Sequence, residues 1–403
     1  MPLSDLLFSP MELPCGAVLK NRLAKAAMSD SLGDGAGRPT ARQSRLYERW
    51  AEGGLGLSII GELQTRPDFP EKPGNLVLQS GTPPAPFQDL TRKGAANDTH
   101  LWPQLGHAGA LAFAPLSALA GPSALDLPGL KCRELSVAEI QTIPTEFAVA
   151  AALAKSYGFT GIEIHAAHGF LLSQFLSPLF NRRGDAYGGS AGARARLVLD
   201  VIAAVRDAVG PAFPLGIKIN ATDYLEGGVT TTEALALVDA LDTSSIDLID
   251  TSGGTYFPGA KAASDGRSKG AYFRDFTRAA KTRTNKPIML TGGIKTWEEA
   301  VDILSDGSAD VIGLARSLVI DPSLPQSWAQ SPPRNPVFPR FDNPPDGGIT
   351  AWYTMRLTQI AEDRDDELPM DIPDAIDAYD GRDKDRIPVW RERFPGSGSL
   401  TQS

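Results

Sequence analysis

From about residue 145 onward, short apolar runs alternate with amphipathic stretches. Phe147, Ala150, Ala151, Ala154 and Tyr157 recur at helical spacing, and Gly158 supplies a stop. Residues 161–165 read as a strand. Leu197, Val198, Val201, Ile202 and Val205 mark the next helix, and 215–219 the next strand. The same reading gives helices over 231–241, 273–282 and 297–304, with strands over 246–250, 286–290 and 310–314. The first third follows the scheme with less regularity. Strands are expected over 22–28 and 56–61 with a helix over 42–51 between them, and a third strand ends at Gln104-Leu105-Gly106-His107. Ser136 and Glu139 form a capping box for a short helix that Pro144 ends or kinks. Strand–helix alternation of this length implies parallel strands joined by crossovers. Eight strands is the number that closes a (β/α)8 barrel, so an α/β barrel is the expected fold.

After Pro322 the pattern breaks. Pro325, Pro332, Pro333, Pro336, Pro339, Pro344 and Pro345 exclude regular structure there. A helix over 350–361 follows, then an acidic tail that reads as an irregular, partly disordered arm. The expected division is a barrel over 1–322 and an arm over 323–403.

Composition narrows the function. The net charge of −9 and the lack of a dense basic block argue against nucleic acid. Cys15 and Cys132 are too few for a disulfide framework or an iron–sulfur cluster, and suit buried thiols in a reducing compartment. The N-terminus lacks the basic start of a signal peptide. The most apolar stretch, 110–125, is broken by Pro115, Gly121 and Pro122 and should not span a bilayer. A cytoplasmic protein that acts on a small molecule, with a homodimer as one possible assembly, is the expectation.

Barrel enzymes carry their chemistry at the C-terminal ends of the strands, with phosphate commonly bound after the last two. Thr291-Gly292-Gly293 follows the seventh strand and Gly313-Leu314-Ala315-Arg316 closes the eighth. Glycines let backbone N–H groups approach a phosphate, and Arg316 adds a charged fork. Lys218 interrupts an apolar strand, as either a snorkelling edge residue or a buried cation with a task. Glu163-Ile164-His165-Ala166-Ala167-His168-Gly169-Phe170 holds two of the four histidines. Imidazoles at i and i+3 can aim two N–H donors at one oxygen and polarise it. They could also be metal ligands, but no third ligand is in an obvious place beyond Asp185.

This segment, continuing through Asn181-Arg182-Arg183-Gly184-Asp185-Ala186-Tyr187-Gly188-Gly189-Ser190, resembles the Old Yellow Enzyme family of FMN-dependent ene-reductases. The resemblance spans roughly residues 5 to 322. It implies FMN as cofactor and NAD(P)H as reductant. His165 and His168 would bind the substrate oxygen, Lys218 would stabilise charge near N1 of the reduced flavin, and Gln104 would read the pyrimidine edge. Ala27, Met28 and Ser29 would lie behind the ring with Gly61, while Gly292, Gly293, Gly313 and Arg316 would hold the phosphate. The loop from 181 to 189 would be structural, through Arg182 or Asp185.

Three departures stand out. Ala110 occupies a position where the family more often has arginine, and Ser29 one where some relatives carry a flavin-tuning cysteine. Phe170 stands where most of the reductases place the tyrosine that protonates the α-carbon. Phenylalanine has no proton to give. Another acid (Tyr187, Tyr224, Tyr256 or water) could replace it. The protein could instead favour nitro reduction or redox-neutral isomerisation. Rival readings are a flavin-free lyase with Lys218 as Schiff-base amine and a non-catalytic flavin binder.

Overall fold

Eight parallel strands close on themselves in the computed structural model, which describes residues 5–260 and 270–396. They are β1 (Leu23–Lys25), β2 (Leu57–Gln64), β3 (His100–Gly106), β4 (Ile162–Ala166), β5 (Leu215–Asn220), β6 (Leu248–Ser252), β7 (Ile288–Thr291) and β8 (Val311–Leu314). Each pairs with its neighbours in chain order, and β1 closes the ring by pairing with both β8 and β2. All eight strands expected from the sequence are present, with ends shifted by a few residues. The first is the shortest, because the chain after Lys25 leaves the sheet to pass behind Gly61.

The wall helices are α1 (Ala41–Glu52), α2 (Pro84–Gly94), α3 (Val137–Ser156), α4 (Ala191–Val209), α5 (Thr231–Asp242), α6 (Arg274–Ala280) and α7 (Trp297–Ser305). Capping boxes at Ser136/Glu139, Thr230/Glu233 and Thr296/Glu299 start three of them. Pro144 neither ends nor visibly interrupts α3, contrary to expectation. Its missing N–H costs one intrahelical bond. The burial of Ile140, Ile143, Phe147, Ala150, Ala151 and Ala154 against the barrel outweighs that loss. Helix α2 and a small sheet over 120–134 were not foreseen.

The tail also departs from expectation. After α8 (Gly348–Ala361), residues Ile372–Arg393 form a 22-residue helix, α9. Its acidic composition suggested disorder, yet Ala375 and Trp390 are fully buried. Arg382 donates to the Ser31 carbonyl at 3.0 Å and to Thr358 Oγ1 at 2.7 Å, and Arg386 to Ser31 Oγ at 3.2 Å. Most of its acidic residues stay in solvent, although Asp383 is buried against Lys72 at 3.0 Å, while the arginines fasten the helix over the loop after β1 and Trp390 donates to the Pro67 carbonyl after β2. Replacing Trp390 with alanine is expected to cost about 3–5 kcal/mol, read as a lowered midpoint in urea unfolding.

Candidate active site

The side chains singled out from the sequence gather at the C-terminal mouth of the barrel. They fall into three groups.

The first is a buried polar floor. Gln104 on β3 and Glu163 on β4 are register partners, as are Lys218 on β5 and Asp250 on β6. Gln104 Nε2 donates to Glu163 Oε1 at 2.6 Å, Lys218 donates to Asp250 Oδ2, and Thr291 Oγ1 donates to Asp250 Oδ1 at 2.6 Å. Burial opposes the Lys218 charge, but the Asp250 and Glu163 carboxyls outweigh it and hold the ammonium above the ordinary lysine value. Burial, reinforced by Asp250, pushes Glu163 up to about 8. The Glu163 Oε2 atom has no hydrogen-bond partner among the described residues. Glu163 and Asp250 went unassigned from the sequence, although each is a lone charge in an apolar strand, the signal that picked out Lys218.

The second group is the imidazole pair. His165 and His168 have ring centroids 5.2 Å apart at 78°. Burial takes His165 well below its ordinary pKa and His168 to about 3, so both are neutral donors. The Ala167 N–H donates to His165 Nδ1 at 3.3 Å, which leaves the proton on Nε2. His168 Nε2 lies 2.8 Å from Ser252 Oγ. The backbone at His168 is left-handed, with φ of 61°. It is held there by its N–H to Asn220 Oδ1 at 3.1 Å and by the Tyr256 N–H on its carbonyl at 3.2 Å. Phe170 packs edge-on against His165, centroids 5.1 Å apart.

The third group lines a cavity of about 360 Å³ running from His168 and Ser252 past Gly292, Gly293 and Gly313 to Arg316. Gly292 and Gly293 have φ of 124° and 80°. A Cβ on Gly293 would fall 2.0 Å from the Gly270 carbonyl, and one on Gly313 2.1 Å from Thr291 Oγ1. Lys295 and Arg316 line the cavity, and no carboxylate among the described residues does. Each cation lies over an aromatic ring of the C-terminal segment, Lys295 over Phe338 at 5.3 Å and Arg316 over Tyr353 at 5.0 Å. Phe338, Pro339, Phe341, Ile349 and Tyr353 thus form one wall. The expected boundary at 322 would cut this cavity in two.

Gln104, Lys218, His165 and Ala27-Met28-Ser29 do not line the cavity. Gly61 lies where the β2–β3 register shifts between Ile60 and Leu63, and a Cβ there would meet the Met28 carbonyl at 2.6 Å. In the 181–189 loop the structural anchor is Arg183, bound to Asp185 and to the Pro122 and Leu135 carbonyls at 2.7 Å, with Arg182 outside that network. Among the described residues, no group of three or more His, Cys, Asp or Glu is placed to hold a metal ion, and no helix is long and apolar enough to cross a membrane.

The model of the NADH:flavin oxidoreductase / NADH oxidase family matches residues 6–335. The chain belongs to this family. It is 33% identical over 351 residues to an NADH-dependent flavin oxidoreductase of Hypocrea jecorina, covering 79% of this chain and 87% of that protein. A Neonectria namesake is 32% identical over 379 residues, but those cover 85% of this chain and 49% of that relative, so the chain spans about half its length. A solved Old Yellow Enzyme homologue from Zymomonas mobilis shares the fold, with a TM-score of 0.71 at 23% identity over 82% of this chain and 94% of that one. The Old Yellow Enzyme resemblance and the barrel are thereby borne out.

FMN is the cofactor of this family and a nicotinamide nucleotide its reductant. The cavity fits the phosphate end of such a group: among the described residues it offers two cations and no competing carboxylate.

Burial lowers the pKa of all four histidines, His107 and His168 to about 3. Unfolding returns them to about 6.5, so the unfolded chain binds the extra protons and stability is lost as pH falls from about 6.5 toward 3. Glu163 works the other way, holding a proton in the folded state that the unfolded chain releases between pH 4.5 and 8. The histidines outnumber it. The urea midpoint is expected to be lower at pH 5 than at pH 6.5, above the range where most surface carboxylates titrate.

Proposed function

We propose that the chain is an FMN-dependent NAD(P)H oxidoreductase of the ene-reductase type, reducing a C=C bond conjugated to a carbonyl or similar group. The observation that carries this reading is the pair of neutral imidazoles, 5.2 Å apart, beside a cavity of about 360 Å³ lined by two cations. FMN, when bound, supplies the hydride that it takes from the nicotinamide nucleotide.

The protein's own residues do the rest. His165 Nε2–H is aimed by the Ala167 amide to donate to the substrate oxygen, and His168 stands beside it as the second donor. Neutral imidazoles can hold the growing enolate charge without first giving up a proton. Lys218, kept charged by Asp250, would supply positive potential to the pyrimidine end of a bound flavin, and Gln104 would offer its amide there. Ala27, Met28, Ser29 and Gly61 would back the ring. Gly292, Gly293, Gly313 and Arg316 would hold the phosphate, joined by Lys295. The lyase reading is disfavoured, since the Asp250 contact favours the ammonium form of Lys218 and an ammonium cannot attack a carbonyl.

Phe170 favours a second reading: chemistry that needs no carbon acid, such as nitro reduction or redox-neutral isomerisation.

The test is anaerobic. The FMN-loaded protein is expected to bleach with NADH or NADPH and to regain its colour with 2-cyclohexenone, yielding the saturated ketone. Bleaching without saturated product would point to the second reading. A yellow protein that consumes no NAD(P)H with any acceptor would be a binder only, and one that cannot be loaded with FMN would overturn the proposal. His165→Ala is expected to slow enone reduction by about a hundred- to a thousandfold while bleaching by NADH persists. Arg316→Ala is expected to raise the Kd for FMN at least tenfold in fluorescence titration.

A further inference from the structure

We propose that Tyr256 is the general acid of the reduction, supplying the proton that Phe170 cannot; this rests on the C=C-reducing reading above. Reducing the double bond breaks one π bond and forms two C–H bonds. Hydride reaches the β-carbon, NAD(P)H ends as NAD(P)⁺, and the electron pair of the π bond moves to the enolate oxygen held by the imidazoles. The α-carbon then needs a proton. The Tyr256 O–H bond breaks as the α-C–H bond forms, and the phenolate recovers its proton from water.

Several observations put this side chain beside the position where the acid is missing. Tyr256 lines the same cavity as His168 and Ser252. Its backbone N–H is bonded to the His168 carbonyl at 3.2 Å, and the preceding Thr255 bridges to His168, so its place is tied to the imidazole pair. Its ring centroid lies 5.9 Å from that of Phe170, which in turn lies 5.1 Å from His165. The acid is thus displaced outward by one ring from the position the family more often uses. Tyr256 is 62% exposed, which gives the phenolate the solvent contact that reprotonation requires.

The other tyrosines sit elsewhere in the fold. Tyr187 is buried against Phe175, under the Arg196 guanidinium. Tyr224 stacks on Phe273 and does not line the cavity. Tyr272 packs where a Gly293 side chain would be, and Tyr353 lies under Arg316, both at the phosphate end.

The test compares wild-type, Y256F and the double variant Y256F/F170Y, each loaded with FMN and bleached anaerobically with NADH, which also reports folding and loading. Reoxidation is followed by stopped flow with 2-cyclohexenone and with benzoquinone, whose oxygens need no carbon acid. Y256F is expected to be reoxidised by cyclohexenone about a hundred- to ten-thousandfold more slowly yet by benzoquinone at the wild-type rate, and F170Y to recover at least tenfold of the loss. Unchanged reoxidation of Y256F by cyclohexenone would overturn the assignment, as would an equal loss with both acceptors. If wild-type protein is reoxidised by benzoquinone but not by cyclohexenone, the C=C-reducing reading falls and takes this assignment with it.

Discussion

A lysine and two carboxyl groups share the dry interior of the barrel. Isolated, the Lys218 ammonium would cost several kcal/mol to bury. It is tolerable because Asp250 sits at the same level on the next strand and accepts its hydrogen bond, while burial raises the Glu163 carboxyl and so favours its uncharged form. This arrangement requires Gln104 to face Glu163 and Lys218 to face Asp250. A slip of one residue in any of these strands would turn a charge outward into the helix layer. The registers that bring the histidines, the glutamine and the lysine to one mouth are those that let the charges be buried at all.

The same floor sets the electrical character of the site. Its cation is paired directly with Asp250, while the adjoining cavity has two cations and no carboxylate among its described lining. Negative charge is therefore welcome at the phosphate end. The imidazoles lie between these regions, and burial keeps them uncharged. A charged pair there would repel each other and Lys218; a neutral pair can donate without that cost.

The C-terminal segment is part of this design. Phe338 and Tyr353 support the two cations through their ring faces, which holds them in place without neutralising them as a carboxylate would. Further along, α9 fastens the loop after β1 through Arg382 and Arg386. That loop continues directly from Ala27, Met28 and Ser29, so the tail and the barrel mouth are mechanically joined.

What the sequence determined by itself was everything carried by local periodicity and short motifs. The eight strands, the Ser136/Glu139 capping box, the glycine turn after β7 and the His-Ala-Ala-His segment all show in the residue order, because each is specified within one or two turns of chain. Tertiary structure alone decided the rest. Pro144 could be absorbed because the helix on either side of it buries an apolar face. The tail could be ordered because Trp390 and two arginines found partners more than three hundred residues earlier in the chain. Glu163 and Asp250 gained their meaning only when closure set them beside Gln104 and Lys218. Tyr256 came next to Phe170 only because the loops after β4 and β6 are bonded backbone to backbone. Residue order records what a segment can bury or expose, whereas partner identity depends on where the closed barrel places segments far apart in sequence.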